Sequence, residues 1–249
     1  MERTLTQLYP NVWRLVADNP SIMTGPGTNT YFVGQDRLFI IDSGPADHRH
    51  LENIVAATEM LQAEVVAIIP THAHPDHDGG TAALARRLAV PVWRFDQPLQ
   101  DETALARVGT PLIVKHTPGH IHAHLSLWQP EQRRLFAGDL VAGQGTILII
   151  PPDGDMAAYL DSLAAMQSLD PATILPGHGP AIETPQVLLQ EYIDHRLMRE
   201  AQVLGYVEQG YTTADQIAAQ IYADRPEVLG IATLQTEAHL QKLRQEGQI

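Results

Sequence analysis

The sequence contains no cysteine. Disulfides are therefore excluded, and so is thiolate ligation of a metal. Any metal site must use imidazole and carboxylate, a donor set that suits zinc, iron or manganese. No uninterrupted apolar run reaches membrane-spanning length, and the first residues, Met1 to Thr6, lack the apolar segment of a signal peptide. The expectation is a cytoplasmic protein with no membrane partner. Positive charge is also scarce: 16 Lys+Arg stand against 29 Asp+Glu, a net charge of −13 over 249 residues. A chain this acidic is a poor non-specific binder of nucleic acid.

What is present is an ordinary globular composition with 44% hydrophobic residues and 12 histidines. The length allows one large domain, or one of moderate size with an appendage, and a substantial core. The histidines are not spread evenly. Thr71-His72-Ala73-His74-Pro75-Asp76-His77-Asp78-Gly79-Gly80 sets three imidazoles and a carboxylate within six residues, as H-x-H-x-D-H. The apolar, β-branched run Val65 to Ile69 precedes it and reads as a buried strand. The donors therefore sit on a loop at the carboxyl end of a strand. The pattern is not H-E-x-x-H on a helix, so a zincin arrangement is excluded.

The same arrangement recurs along the chain. A short apolar strand ends, a Gly or Pro turn follows, and a His or Asp stands at the turn. It occurs at Thr117-Pro118-Gly119-His120, at Gly138-Asp139 and at Pro176-Gly177-His178-Gly179. Strands are expected at Val12–Val16, Thr30–Val33, Leu38–Ile41, Val90–Trp93, Leu112–Val114, Leu125–Trp128, Arg134–Ala137 and Ala172–Leu175. Helices are expected at about Asp47–Gln62, Thr81–Leu88 and Asp155–Leu169, the last burying Tyr159, Leu160, Leu163 and Met166. Asp96 to Gly109 reads as a loop or a weak helix. His48 and His50, near the start of the first helix, read as surface residues. Pro20 to Gly27 is a Pro/Gly loop expected to wall a substrate site. Periodicity alone gives a mixed α/β fold.

Thr184-Pro185 opens a further helix, with Thr as N-cap, Pro at its first position and Leu189, Ile193, Leu197, Leu204 and Val207 as its apolar stripe. Two more helices follow, at about Thr213–Tyr222 and Glu227–Glu246. The division is expected near Ile182, giving a catalytic domain 1–182 and a helical domain 183–249. Residues 186–249 carry five Lys/Arg against nine Asp/Glu. A DNA-reading helix should be basic, so the tail is expected to pack on the catalytic domain or on a partner subunit.

These motifs resemble the metallo-β-lactamase superfamily, and the resemblance spans nearly the whole chain. It implies an αββα sandwich with a winged-helix-like extension, and a metal-dependent hydrolase with two divalent cations, zinc first, with iron or manganese as alternatives. It implies that His72, His74 and His120 hold the first cation, that Asp76, His77 and His178 hold the second, and that Asp139 bridges them. His116, His122 and His124 crowd the same turn. His120 is chosen because Thr-Pro-Gly-His is the form of the family's motif, and His124 is open as a supporting donor or a substrate contact. Asp76 is also the expected catalytic carboxylate, accepting a hydrogen bond from the attacking oxygen. A water shared by two such cations loses its proton near neutral pH. Asp42, at a strand end, is expected to support the metal loop.

Within the superfamily the chain looks like the β-lactamase-like protein 2 group, whose mitochondrial member cleaves single-stranded RNA. The pieces that carry this are Gly27-Thr28-Asn29-Thr30-Tyr31, the metal loop, the three later turns, Gly143-Gln144-Gly145-Thr146 and the helical tail. The substrate expectation is a small ester, thioester, lactone or related acyl compound. RNA is the alternative, and the acidity argues against it. An iron-dependent thiol oxygenase and a non-catalytic metal-bearing sensor are the further alternatives. Retention of His178 argues against the oxygenase. A homodimer is compatible with the sequence.

Overall fold

A computed structural model of the protein describes residues 4–96, 98–101, 103–106, 108–109 and 111–249. The first half of the chain builds one sheet and its helices. Strands β1 (Thr6–Tyr9), β2 (Val12–Val16), β3 (Asn29–Gly34) and β4 (Arg37–Ile41) run as an antiparallel meander. Helix α1 (His48–Leu61) then crosses back to β5 (Glu64–Ile69), which pairs with β4 in parallel. Asp47 caps α1, its side chain accepting from the backbone N–H of His50 at 2.8 Å. The short α2 (Pro75–Asp78) and α3 (Thr81–Leu88) follow β5.

The second half builds the other sheet. The two-residue strands β6 (Arg94–Phe95) and β7 (Pro98–Leu99) pair with each other. Strands β8 (Ala104–Leu105), β9 (Leu112–His116), β10 (Leu125–Gln129) and β11 (Arg134–Gly138) are antiparallel. Helix α4 (Met156–Ser168) leads to β12 (Thr173–Pro176), which joins β11 in parallel. The tail is α5 (Pro185–Glu208), α6 (Ala214–Ile221), a 3-10 turn at Pro226–Val228 and α7 (Leu229–Gln245).

Alternation along the strands produces four layers. Phe39 and Ile41 of β4 point one way and meet Leu127, Phe136 and Leu175 of the second sheet in the central core. Leu38 and Ile40 point the other way and pack with Ile54 of α1 and Leu84 of α3. In the second sheet, Leu135 and Ile174 face outward onto Tyr159 and Leu163 of α4 and Leu189 of α5. The result is an αββα sandwich, helices outside and sheets face to face. A separate small core joins Val203 of α5, Ile217 of α6 and Leu240 and Leu243 of α7. Helix α5 thus serves the sandwich with its first half and the tail with its second.

The structure departs from the sequence expectations in several places. Val90–Trp93 is not a strand: Val92 makes only an isolated bridge to Ile68, since Pro91 has no N–H to donate, and the pairing moves to Arg94–Phe95. Asp96 to Gly109 is neither loop nor helix throughout. It contributes β7 and β8 and sends Leu99, Leu105 and Val108 into the central core, while Gln97, Glu102 and Arg107 lie outside the described residues. His50 is not a surface residue: it is 3% exposed, with Nε2 3.1 Å from the Thr30 hydroxyl. Leu160 is only partly buried. Leu197 is 47% exposed, and Val203 takes the buried place in the α5 stripe. Thr184 makes no side-chain cap bond.

Candidate metal centre

The strand ends of both sheets meet at one rim. β5 delivers the loop with His72, His74, Asp76 and His77. The turns after β9, β11 and β12 deliver His120, Asp139 and His178. All seven side chains come together. His74 Nδ1 lies 2.9 Å from His72 Nε2 and 2.9 Å from His120 Nε2. His77 Nε2 lies 3.1 Å from His178 Nε2, and Asp76 Oδ2 is 3.3 Å from His178 and 3.7 Å from His77. Asp139 stands between the two groups. Its Oδ1 is 3.4 Å from His77 Nε2 and 3.5 Å from His178 Nε2, while its Oδ2 is 3.7 Å from His120 Nε2.

The far sides of these rings decide where their protons sit. His77 Nδ1 donates to Asp42 Oδ2 at 2.8 Å, His120 Nδ1 to the Leu148 carbonyl at 2.7 Å, and His178 Nδ1 makes a long contact of 3.5 Å to the Gly27 carbonyl. Those acceptors require N–H at Nδ1, so Nε2 of each neutral ring presents a lone pair inward. Asp42 also accepts from the Thr71 N–H at 2.6 Å and the Thr71 hydroxyl at 3.0 Å, which leaves that hydroxyl to accept from His72 Nδ1 at 3.0 Å. One buried carboxylate thereby orients two of the candidate ligands. Asp42 itself sits at φ 56°, the left-handed turn that ends β4.

Lone pairs facing one another at about 3 Å repel unless a proton or a cation lies between them. Asp139 Oδ1 is buried and has no hydrogen-bond partner, a cost that a cation would remove. Space is kept for it: a Cβ on Gly177 would stand 2.6 Å from Asp139 Oδ1 and 2.6 Å from the His77 ring. The donor chemistry, the orphaned oxygen and this clearance all fit two divalent cations. Two candidate groups share the centre, His72/His74/His120 and Asp76/His77/His178, and His72, His77 and Asp139 form a third set between them.

Without a cation the cluster retains protons. Burial works against charge on His178, but Asp139 and Asp76 outweigh it and push the imidazole up to about 9. His77 is likewise raised well above the usual range, burial being overcome by Asp139 and Asp42. Burial would raise Asp139, yet His77 and His178 hold it well below the usual carboxylate range. His72 goes the other way, lowered by burial and by the charge on His77.

The neighbouring histidines separate clearly. His116 stacks on Phe95 at 4.1 Å and its Nε2 donates to the His122 carbonyl, and His122 is exposed. His124 is fully buried behind the centre. Its Nε2 accepts the Asp139 N–H at 3.0 Å and its Nδ1 donates to the Thr117 hydroxyl at 2.8 Å, so it positions Asp139 rather than meeting a ligand. Burial brings it down to about 3, keeping Nε2 an acceptor. Sequence reasoning missed Asn29 and Tyr31. Asn29 Nδ2 donates to the carbonyls of Pro176 and Gly179, each at 2.9 Å, and the Tyr31 hydroxyl to Pro176 at 2.7 Å, which fixes the turn that carries His178. Both lie in the Gly27–Tyr31 stretch, where an Asn inside a β-branched run was the available signal. The Pro20–Gly27 loop joins the rim through its last residue, Gly27, and carries Ile22, 92% exposed, and Met23, 53% exposed.

Comparison with known proteins agrees with this geometry. The sequence pattern of the metallo-β-lactamase superfamily matches residues 23–104 and 95–178, and that of the β-lactamase-associated winged helix domain matches residues 213–249. The chain belongs to the metallo-β-lactamase superfamily. Within it, the chain is related to the β-lactamase-like protein 2 homologues. It is 32% identical to the Drosophila melanogaster homologue over 98% of this chain and 91% of that one. It is 33% identical to an atrochrysone carboxyl ACP thioesterase of Aspergillus fumigatus, over 79% of this chain and 65% of that one. A metallo-β-lactamase family protein of Thermus thermophilus shares the fold with a TM-score of 0.81 at 20% identity, covering 97% of this chain and 95% of that chain.

Proposed function

We propose that the protein is a hydrolase of small acyl substrates, an ester, thioester or lactone, working with two divalent cations that we take to be zinc. The observation that carries this reading is the convergence of seven donors with inward lone pairs on two adjoining positions, with Asp139 between them. Cations held there would polarise the scissile carbonyl and acidify a shared water so that hydroxide is available near neutral pH.

The chain's own residues supply orientation and proton handling. Asp42, Thr71 and the Leu148 carbonyl lock the imidazole rings, so little reorganisation is needed when substrate arrives. His74, Asp76 and His120 are half-buried, whereas His72, His77, Asp139 and His178 are buried, so the substrate approaches over the first three. Burial would raise Asp76, but His178 and His77 hold it below the usual carboxylate range. It is therefore a charged acceptor at neutral pH, placed to accept a hydrogen bond from the attacking oxygen. The exposed Ile22 and Met23 give the substrate an apolar wall. The thioesterase relative and the net charge of −13 favour an acyl substrate over a polyanion.

The test is turnover of p-nitrophenyl esters, thioesters and lactones before and after complete chelation. Activity is expected to vanish with the metal, and Asp76→Ala to lower kcat roughly 10²–10⁴-fold. In the same assay, shortening the Pro20–Gly27 loop is expected to raise KM with metal content unchanged. Turnover that survives full metal removal overturns the reading. The RNA alternative draws on the β-lactamase-like protein 2 relationship, which includes the tail. It requires that labelled single-stranded RNA be cut by the wild type and spared by Asp76→Ala.

A further inference from the structure

A second polar site lies in the tail. Helices α5 and α7, the turn before α7 and the segment 146–148 enclose a cleft of about 230 Å³. Arg196, Arg199 and Arg225 line it, together with His195 and Tyr222, and no Asp or Glu does so among the described residues. In a chain with 16 Lys+Arg against 29 Asp+Glu, three arginines around one small cleft form a local field opposite in sign to the whole.

Arg196 is the unusual member. It is 3% exposed and makes no ion pair among the described residues. Its Nη atoms donate to neutral oxygens only, Gln235 Oε1 at 3.1 Å, Thr146 Oγ1 at 2.9 Å and the Ile147 carbonyl at 2.6 Å, and its Nε has no partner. The nearby Glu200 does not compensate it, being taken by Lys242 at 2.7 Å and His239 at 3.4 Å. A buried guanidinium without a counter-charge is costly unless something else supplies one. Arg199 lies over the Tyr222 ring at 4.7 Å, and its Nε also lacks a partner. Among the described residues, the one ion pair of Arg225 is with the exposed Glu227, at 3.6 Å. His195 is lowered first by burial and then by the charges on Arg196 and Arg199.

We propose that this cleft is a binding site for a small molecule bearing a carboxylate or phosphate group, held by the guanidinium groups of Arg196, Arg199 and Arg225. Guanidinium matches both oxyanions with paired N–H donors, and the Tyr222 ring gives a flat apolar side to the same cleft. The site is distinct from the metal centre but shares a segment with it. Arg196 holds Thr146 and Ile147, and Gln235 holds the Ile149 carbonyl at 2.8 Å, while Leu148 between them accepts from His120.

The experiment uses full-length protein stripped of metal, so its outcome does not depend on hydrolase activity. Sodium phosphate and, separately, sodium succinate are titrated at constant ionic strength, with melting temperature and heat of binding as readouts. The expected result is saturable binding of at least one of them, with the tighter arm assigning the oxyanion. Arg199→Gln and Arg225→Gln, both outside the core, should each weaken it roughly tenfold. His178→Ala should leave it intact. Absence of saturable binding by both anions overturns the proposal. So does binding that survives both arginine substitutions together but is lost in His178→Ala, which would put the anion among the protonated histidines.

Discussion

Two of the buried polar clusters that contain histidine, one in the tail and one at the rim of the sandwich, differ in how their charges meet. In the tail, the Glu200 carboxylate meets the opposite charge of Lys242 and accepts from His239 Nδ1, and the atom left without a partner, His239 Nε2, stands alone among the described residues, with no converging donors or acceptors beside it. At the rim of the sandwich, His77 and His178 aim lone pairs at each other and Asp139 Oδ1 is left without a partner. Both clusters are buried and both perturb their protons. Burial and shifted titration therefore do not by themselves mark a site. Convergent acceptors with nothing to accept from do, because only a ligand completes them.

That contrast can be broken from either side. The largest effect is expected at the rim. Asp42→Ala removes the acceptor that orients His77 and, through Thr71, His72, and should weaken metal retention roughly 10–100-fold with the ligands themselves intact. Competition with a chelator measures it, and unchanged retention would show that the two rings are held without Asp42. In the tail, Glu200→Ala should destabilise the fold on the order of 1–2 kcal/mol in denaturant unfolding, by leaving buried His239 without its acceptor and Lys242 with Glu246 alone. Metal content should not move. A tail variant that lost metal would mean that the two clusters are one cooperative unit.

A smaller and purely electrostatic effect follows from proton uptake by the metal-free centre. His178 is raised to about 9 and His77 is raised as well, so the pair holds an extra proton between its facing Nε2 atoms at neutral pH when no cation is bound. Loading must expel it. Proton release on metal binding should be full near pH 7 and fall as pH rises through about 9, because the imidazoles are then already neutral. The sign for stability is the same: the raised His178 stabilises the metal-free fold fully below about 6.5, and that contribution is lost as pH rises through about 9. Calorimetry in buffers of different ionisation enthalpy reads the release, and a release independent of pH would contradict the account.

The rim was far more legible in the sequence than the tail, for a physical reason. Its donors stand on turns immediately after apolar strands, so a short window shows both the donor and the element that fixes it. The positions of His72, His120, Asp139 and His178 at strand ends follow from that pattern alone. Their pairing did not, and came from the family resemblance. His50 read as a surface residue because its burial depends on Thr30, twenty residues away, and on a glycine: a Cβ at Gly44 would come within 2.7 Å of its ring. The β7 and β8 stretch was obscured by polar neighbours around single buried apolar residues, Leu99, Leu105 and Val108. The arginine cleft left no local trace. Arg196, Arg199 and Arg225 lie on two different elements of an acidic tail, and only packing against the 146–149 segment brings them into use.

Elemental analysis of freshly purified protein, with His178→Ala beside the wild type, tests most directly whether seven side chains from four turns hold a pair of cations. About two metal ions per chain are expected in the wild type, and about one in the variant, since His72, His74 and His120 still form a complete donor set. Wild-type protein that carries no metal, or a content that His178→Ala leaves unchanged, would contradict that arrangement.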